Sequence, residues 1–137
     1  MRKIKTLKKL HSFNLQEMLI VLAIIGILLL LALPNLMPLI TKAKSVEAQT
    51  QLKYIYNTQK QNHFMYSKYS ADLKEIDFES PLTVKQNGSA NYVYEITQAS
   101  NSSFKARATS VTDFDNDGVF NVWEIDENGV PKETVKD

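Results

Sequence analysis

The 137-residue chain has no cysteine, four glycines, four prolines, two histidines and one tryptophan. Without cysteine no disulfide can staple a small exported fold, so the chain must depend on packing, on another kind of cross-link or on partners. His11 and His63 stand far apart with no thiol beside them. A zinc centre or a nucleophile–base pair therefore lacks components, and neither a Gly-rich phosphate loop nor a nucleophile elbow occurs. No catalytic residue is assigned, and the chain reads as non-enzymatic. Two local absences are as informative. No acid precedes Glu17, and neither glycine nor proline occurs between Leu39 and Tyr69.

The acid-free start carries Arg2, Lys3, Lys5, Lys8 and Lys9. It leads into 16 residues, Met18 to Leu33, without one charged or polar side chain. As a helix rising ~1.5 Å per residue, that run is ~24 Å long. With Phe13 and Leu15 before it and the apolar residues up to Ile40 after it, the segment can cross a bilayer core of ~30 Å. The basic excess at the front predicts a cytoplasmic N-terminus, a single membrane span and an exported remainder. A cleaved secretory signal would need small residues at a cut site after the apolar run. Pro34-Asn35-Leu36-Met37-Pro38 stands there instead, so the helix is expected to stay on the mature chain.

The expected organisation is a basic leader over 1–12, a membrane half-helix over 13–38 and one exported domain over 39–137. Five of the 16 basic residues lie in the leader, leaving 11 against 15 acids beyond it. That balance argues against nucleic-acid binding, which needs a clustered basic face. Within 39–69 the residues Ala48, Leu52, Ile55, Gln59 and Tyr66 recur at three- and four-residue spacing, which predicts a helix continuing from the span with one covered face. Pro34 and Pro38 each remove a backbone donor near the membrane exit and are expected to kink it.

A short second helix is expected from Ser70, its cap, to Ile76, followed by a loop over 85–90. Strands are expected over 91–97, 104–110 and 119–126, then a loose polar tail over 131–137. The result is an α+β fold, with a long N-terminal helix packed on a small antiparallel sheet. Tyr54, Tyr56, Phe64, Tyr66 and Tyr69 read as core and interface packing, and Trp123 as core.

The run Ser12-Phe13-Asn14-Leu15-Gln16-Glu17-Met18 and the apolar helix after it resemble the N-terminal signal of type IV pilins and of type II secretion pseudopilins. Glu17 is the fifth residue counted from Phe13, Gly26 the fourteenth and Pro34 the twenty-second, positions where that family tends to have these residue types. Two positions depart from the pattern: Ser12 stands where the family usually has glycine, and Asn14 where it usually has threonine or serine. The resemblance implies a pilin-like fold and a cut between Ser12 and Phe13 by a membrane prepilin peptidase, with methylation of the new Phe13 amine. It also implies assembly through Glu17, Gly26 and Pro34.

The residues themselves fit this reading. A carboxylate at the edge of hydrocarbon is costly and persists when it has a partner. A cut before Phe13 would create an amine at i to i+4 spacing from Glu17, on the same chain and on neighbours alongside. A second reading needs only the helix dipole, which favours any carboxylate in a first turn.

Asp113-Phe-Asp-Asn-Asp-Gly-Val-Phe-Asn-Val-Trp-Glu124 satisfies a twelve-residue calcium-loop template. Alternate acids on a tightly turning backbone converge on one point, and a hard cation wants such oxygens. The expected ligands are Asp113, Asp115, Asp117, the Val119 carbonyl, Asn121 and Glu124. Strands rather than helices flank the loop, which makes Glu124 the less secure ligand. The competing reading is an acidic hairpin turn. Calcium would replace the missing disulfide by tying the last strands together.

The favoured function is the structural subunit of a type II secretion pseudopilus, a homopolymer that meets the prepilin peptidase, other pseudopilins and the inner-membrane secretion platform. The alternatives are a type IV pilin of a surface filament, and a single-pass membrane protein with a calcium-binding exported domain that never polymerises.

Overall fold

A computed structural model describes residues 12–137, so the basic leader over 1–11 lies outside the described residues. The chain divides into two compact units, one ending at Leu36 and the other running from Met37 to Asp137. One helix, α1 (Leu15–Tyr66), contributes to both.

In the first unit every described residue is exposed. The helix carries an apolar stretch of mean hydropathy 2.8 with none of it buried. No protein surface covers these side chains, and the segment is long and apolar enough to cross a membrane. Asn14 caps its start. The Asn14 carbonyl accepts from Met18 N at 3.2 Å, while the Asn14 N–H donates to Glu17 Oε2 at 3.0 Å. That is the reciprocal half of a capping box, in which the third helical residue reaches back to satisfy the cap's own amide. Pro34, and Pro38 in the second unit, both lie inside the helix, which continues through them.

In the second unit, α1 buries Thr41, Ser45, Ala48, Leu52, Ile55, Gln59 and Asn62. Their spacing alternates four and three, which draws one stripe along the helix. The stripe matches expectation to Gln59 and then differs. Tyr66 is 63 % exposed, whereas Asn62 is buried because its Nδ2 donates to Lys68 O at 3.0 Å. The helix stops three residues earlier than expected, where Ser67 turns left-handed at φ 55° and its N–H bonds to His63 O.

Gln59 then fastens the outgoing chain. Its amide gives a proton to Ser70 O at 2.7 Å and accepts from Ser70 N at 2.9 Å. A buried amide satisfied on both sides costs nothing for its burial and fixes the loop's path. The expected second helix shrinks to a 3₁₀ turn, Lys74–Ile76. Ser70 does not cap it; the Ser70 hydroxyl holds the Asp72 amide instead, and Asp72 holds that of Lys74. Another 3₁₀ turn, Val84–Gln86, opens the expected loop, with Thr83 and Gln86 forming its capping box.

Four strands follow: β1 (Tyr92–Ala99), β2 (Phe104–Ser110), β3 (Val122–Asp126) and β4 (Lys132–Val135). They form an antiparallel meander in the order β1-β2-β3-β4. Strand β4 corrects the loose tail expected over 131–137. All four of its residues are exposed, so no apolar alternation marked it. The turn at Asp126–Gly129 nonetheless brings it back along β3.

The helix stripe packs on one sheet face. In β2 alternate residues are buried, and Ala106 and Ala108 share one core cluster with Ala48, Leu52 and Ile55 of α1. Leu52, Ile55, Tyr92, Phe104 and Ile125 are the large, fully enclosed side chains of this core. Tyr56 and Trp123 are half-buried against it, Tyr69 is inside it, and Phe64 is 91 % exposed.

Truncating Leu52 to alanine should cost about 2–5 kcal/mol, read as a lower unfolding midpoint of the full chain in detergent. The two left-handed glycines should separate in the same assay. Gly118 (φ 89°) has open space where a Cβ would stand, whereas at Gly129 (φ 76°) a Cβ would lie 2.6 Å from Tyr56 Cζ. Gly118→Ala is expected to cost roughly 1–2 kcal/mol through its backbone alone. Gly129→Ala should cost about 1–3 kcal/mol more from overpacking.

Candidate functional site

The described part of the first unit begins with three residues that carry no regular secondary structure. Ser12, Phe13 and Asn14 precede the helix and are exposed, Phe13 at 76 %. The Ser12–Phe13 bond therefore lies on open backbone, the form in which a peptidase can take hold of a chain. Glu17 is one turn inside the helix, exposed, with Oε2 committed to the Asn14 amide. Its role as a cap was only half visible in the sequence, where the helix dipole offered a general reason and the bond itself had no marker. Gly26 has nothing within 4 Å of where a Cβ would stand. No packing within this chain requires glycine there, and small residues of this kind let one apolar helix approach another closely.

The acidic loop belongs to the second unit. Asp113, Asp115, Asp117 and Asp137 each offer an oxygen, and these oxygens lie within 4.8 Å of one another. Local hydrogen bonds fold the loop. Asp113 accepts from the amides of Asn116 at 2.6 Å, Gly118 at 2.6 Å and Asp117 at 3.3 Å. Asp115 accepts from Asp117 N and Asp117 from Val119 N. Asn116 and Gly118 supply the left-handed turns, at φ 63° and 89°. Asp137 closes the group: its Oδ2 accepts from Phe114 N at 2.9 Å, and its Oδ1 is buried without a hydrogen-bond partner.

The charges in this cluster pull in different directions. Desolvation disfavours the charged form of Asp113, but the amides of Gly118, Asn116 and Asp117 outweigh it and hold the carboxyl below its ordinary value. Asp115 is pushed up, first by desolvation and then by repulsion from Asp117, Asp137 and Asp113, against the help of one amide. Four hard oxygens, with a buried and unpartnered Oδ1 on Asp137, fit a divalent cation of the calcium type. Asp113, Asp115, Asp117 and Asp137 are the residues that would hold it.

Two expected ligands are occupied elsewhere. Asn121 is fully buried; it accepts from the Tyr92 hydroxyl at 2.7 Å and donates to Glu133 Oε1 at 2.7 Å and to Val135 O at 3.1 Å. Burial, with Glu47 and Glu133 nearby, pushes the Tyr92 hydroxyl far above its ordinary range, so it remains a donor. Asn121 thereby joins β1, β4 and the loop. Glu124, on β3, takes Arg107 Nε at 2.9 Å and the guanidinium NH2 at 2.8 Å, with Lys105 Nζ at 3.9 Å. The Val119 amide bonds to Asp117, and its side chain is exposed. Asp137 went unnoticed because it lies 20 residues beyond Asp117. The Asn128-Gly129 turn before a β-branched pair, Thr134-Val135, is the signal for the hairpin that returns it. His63 stacks on Tyr69 at 4.5 Å and bonds to Asn101 O, which gives it a structural place.

No family model matches the chain. Over 68 residues, 50% of its length, it is 41% identical to the type IV major pilin protein PilA of Myxococcus xanthus (strain DK1622). The match takes in 31% of that protein, so the chain spans about a third of its relative. The long apolar N-terminal helix, the four-stranded antiparallel sheet behind it in sequence and this similarity make the chain pilin-like in architecture.

Replacing Asn121 by alanine should strand the buried Tyr92 hydroxyl and cut the ties to Glu133 and Val135 on β4. A loss of roughly 2–4 kcal/mol in chemical unfolding is expected, larger than for an exposed asparagine such as Asn57.

Proposed function

We propose that the chain is the structural subunit of a pilin-type filament, held in a membrane by α1 until a cut before Phe13 frees it for assembly. The observation that carries this reading is the helical stretch from Leu15 to Leu36, apolar and wholly exposed, which starts two residues beyond an accessible Ser12–Phe13 bond. A surface of that kind needs lipid first, and identical helices afterwards can cover it equally well. Glu17 is the lone charge within it. Its second oxygen would meet the new amine of a neighbouring copy, an attraction that strengthens away from water.

Between the two filament classes, the similarity to a type IV major pilin supports a surface pilus. The small exported unit and the acidic loop support a type II secretion pseudopilus, where the partners would be other pseudopilins and the inner-membrane platform. In either case the N-terminus is placed in the cytoplasm, the exported unit on the far side, and the prepilin peptidase is the processing partner.

Calcium is the second part of the proposal. Bound among Asp113, Asp115, Asp117 and Asp137, it would tie the loop before β3 to the chain after β4 and relieve the repulsion at Asp115. It supplies charge neutralisation and a cross-link in a domain that has no cysteine.

Mass spectrometry of membrane-extracted protein should find a methylated Phe13 as the N-terminus. An intact Met1 would instead favour the single-pass protein that never polymerises. Glu17→Gln should leave membrane insertion unchanged and sharply reduce the yield of sedimentable filaments.

Calcium at a hundred times its dissociation constant should add about 2.7 kcal/mol to the exported unit. In a unit of this size that is a rise in melting temperature of roughly 10–20 °C. Asp117→Ala and Asp137→Asn should both abolish the rise, while Glu124→Gln should retain it. A rise that survives Asp137→Asn and is lost in Glu124→Gln would restore the twelve-residue template.

A further inference from the structure

Two surfaces of the second unit complement each other and do not meet within one copy of the chain. The first is the end of α1. Phe64, Met65 and Tyr66 are 91 %, 65 % and 63 % exposed, three large apolar side chains in succession on the last helical turn. The stretch from Lys60 to Lys68 that carries them has two lysines and no acid. No ion pair engages either lysine among the described residues. Contiguous exposed apolar surface with a charged rim is the usual composition of a contact site.

The second surface is an open groove of about 1070 Å³ between α1 and the loop after it, lined by Tyr54, Leu73 and Phe78 with Gln51, Asp77 and Glu79 at its edges. The Tyr54 and Phe78 rings lie 5.9 Å apart there. The loop from Asp72 to Glu79 carries four acids and one lysine. Its acids form no ion pair among the described residues. An apolar lining with an acidic rim is therefore opposed, on another part of the same unit, by an apolar knob with a basic rim.

We infer that the basic aromatic end of α1, from Lys60 to Lys68, docks into the acidic groove of a second copy of this chain. The argument rests on the filament reading and adds a specific contact to it. Knob and groove lie at different heights along α1, so between copies whose helices run parallel each docking leaves one free knob and one free groove, and the contact repeats without closing on a pair. Opposite charge sets which end enters which groove, and the aromatic side chains supply the desolvated centre. The apolar helix then handles cohesion near the membrane, and this contact sets the order of the exported units.

The absence of cysteine makes the test direct. Met65→Cys and Ser80→Cys introduce the only two thiols, both at exposed positions. Oxidising membranes that contain the full-length double variant should give a ladder of disulfide-linked multimers beyond the dimer, and each single variant should give a dimer at most. Gln61→Cys with Lys74→Cys is a second pair read in the same way, in case the first melts below the parent protein. Adding Lys68→Glu should weaken the ladder roughly two- to fivefold, and Asp77→Lys on the same chain should restore it.

A double variant that stops at the dimer, or a ladder indifferent to Lys68→Glu, overturns the contact. The N-terminus read from the same sample separates the two proposals. Methylated Phe13 with no ladder removes the docking contact alone, whereas intact Met1 removes the filament reading as well.

Discussion

Ala48, Leu52, Ile55 and Gln59 lie on one line of α1, and the second unit is organised against that line. The three apolar members share one buried cluster with Tyr92, Phe104, Ala106, Ala108 and Ile125 of the sheet, and Tyr69, Ile76 and Phe78 of the connecting loop join them. Gln59, the polar member, uses both ends of its amide on Ser70. The same stripe that excludes water thus directs the chain away from the helix and toward the first strand. Glu47, one position before the buried line, receives the Asn91 amide and side chain at 2.8–3.1 Å where β1 begins. The sheet is therefore positioned by helix residues at both ends of the connection, and neither anchor needs a covalent bond.

Much of this was legible. The apolar run, the absence of glycine and proline over 39–69 and the three-four spacing mark α1, since helix periodicity survives any later context. Strand β2 was placed at both ends because its alternation is complete: Phe104, Ala106, Ala108 and Ser110 inward, the residues between them outward. What escaped was set by pairing rather than pattern. Strand β4 has no buried face and exists because β3 offers it an edge. Asp137 joins the acidic group only because that hairpin returns it. Asn121 fits a ligand template on spacing, yet a buried Tyr92 hydroxyl claims its oxygen. Tyr66 continues the helical stripe in sequence, but the protein that would cover it ends a turn earlier. Spacing describes one element, whereas ligand choice and coverage depend on what another element brings.

The two units solve the cost of exposed apolar surface in opposite ways. The second unit folds its own cover. The first unit leaves every described side chain open, and a covering must come from lipid or from other copies. The chain carries one stable fold and one surface left open, and its pilin-like architecture joins them in a single helix.

The Asn14 cap bears on that change. The Asn14 amide and carbonyl, and the Glu17 carboxylate that holds the amide, all lie beyond the Ser12–Phe13 bond. Severing that bond removes none of the hydrogen bonds that begin α1, so the helix has no first turn to rebuild. On the proposed cut, leader removal would be energetically silent for the helix itself. It would subtract the tail's positive charge and create a terminal amine, so that the difference between an anchored subunit and an assembling one would reduce to electrostatics at a single end.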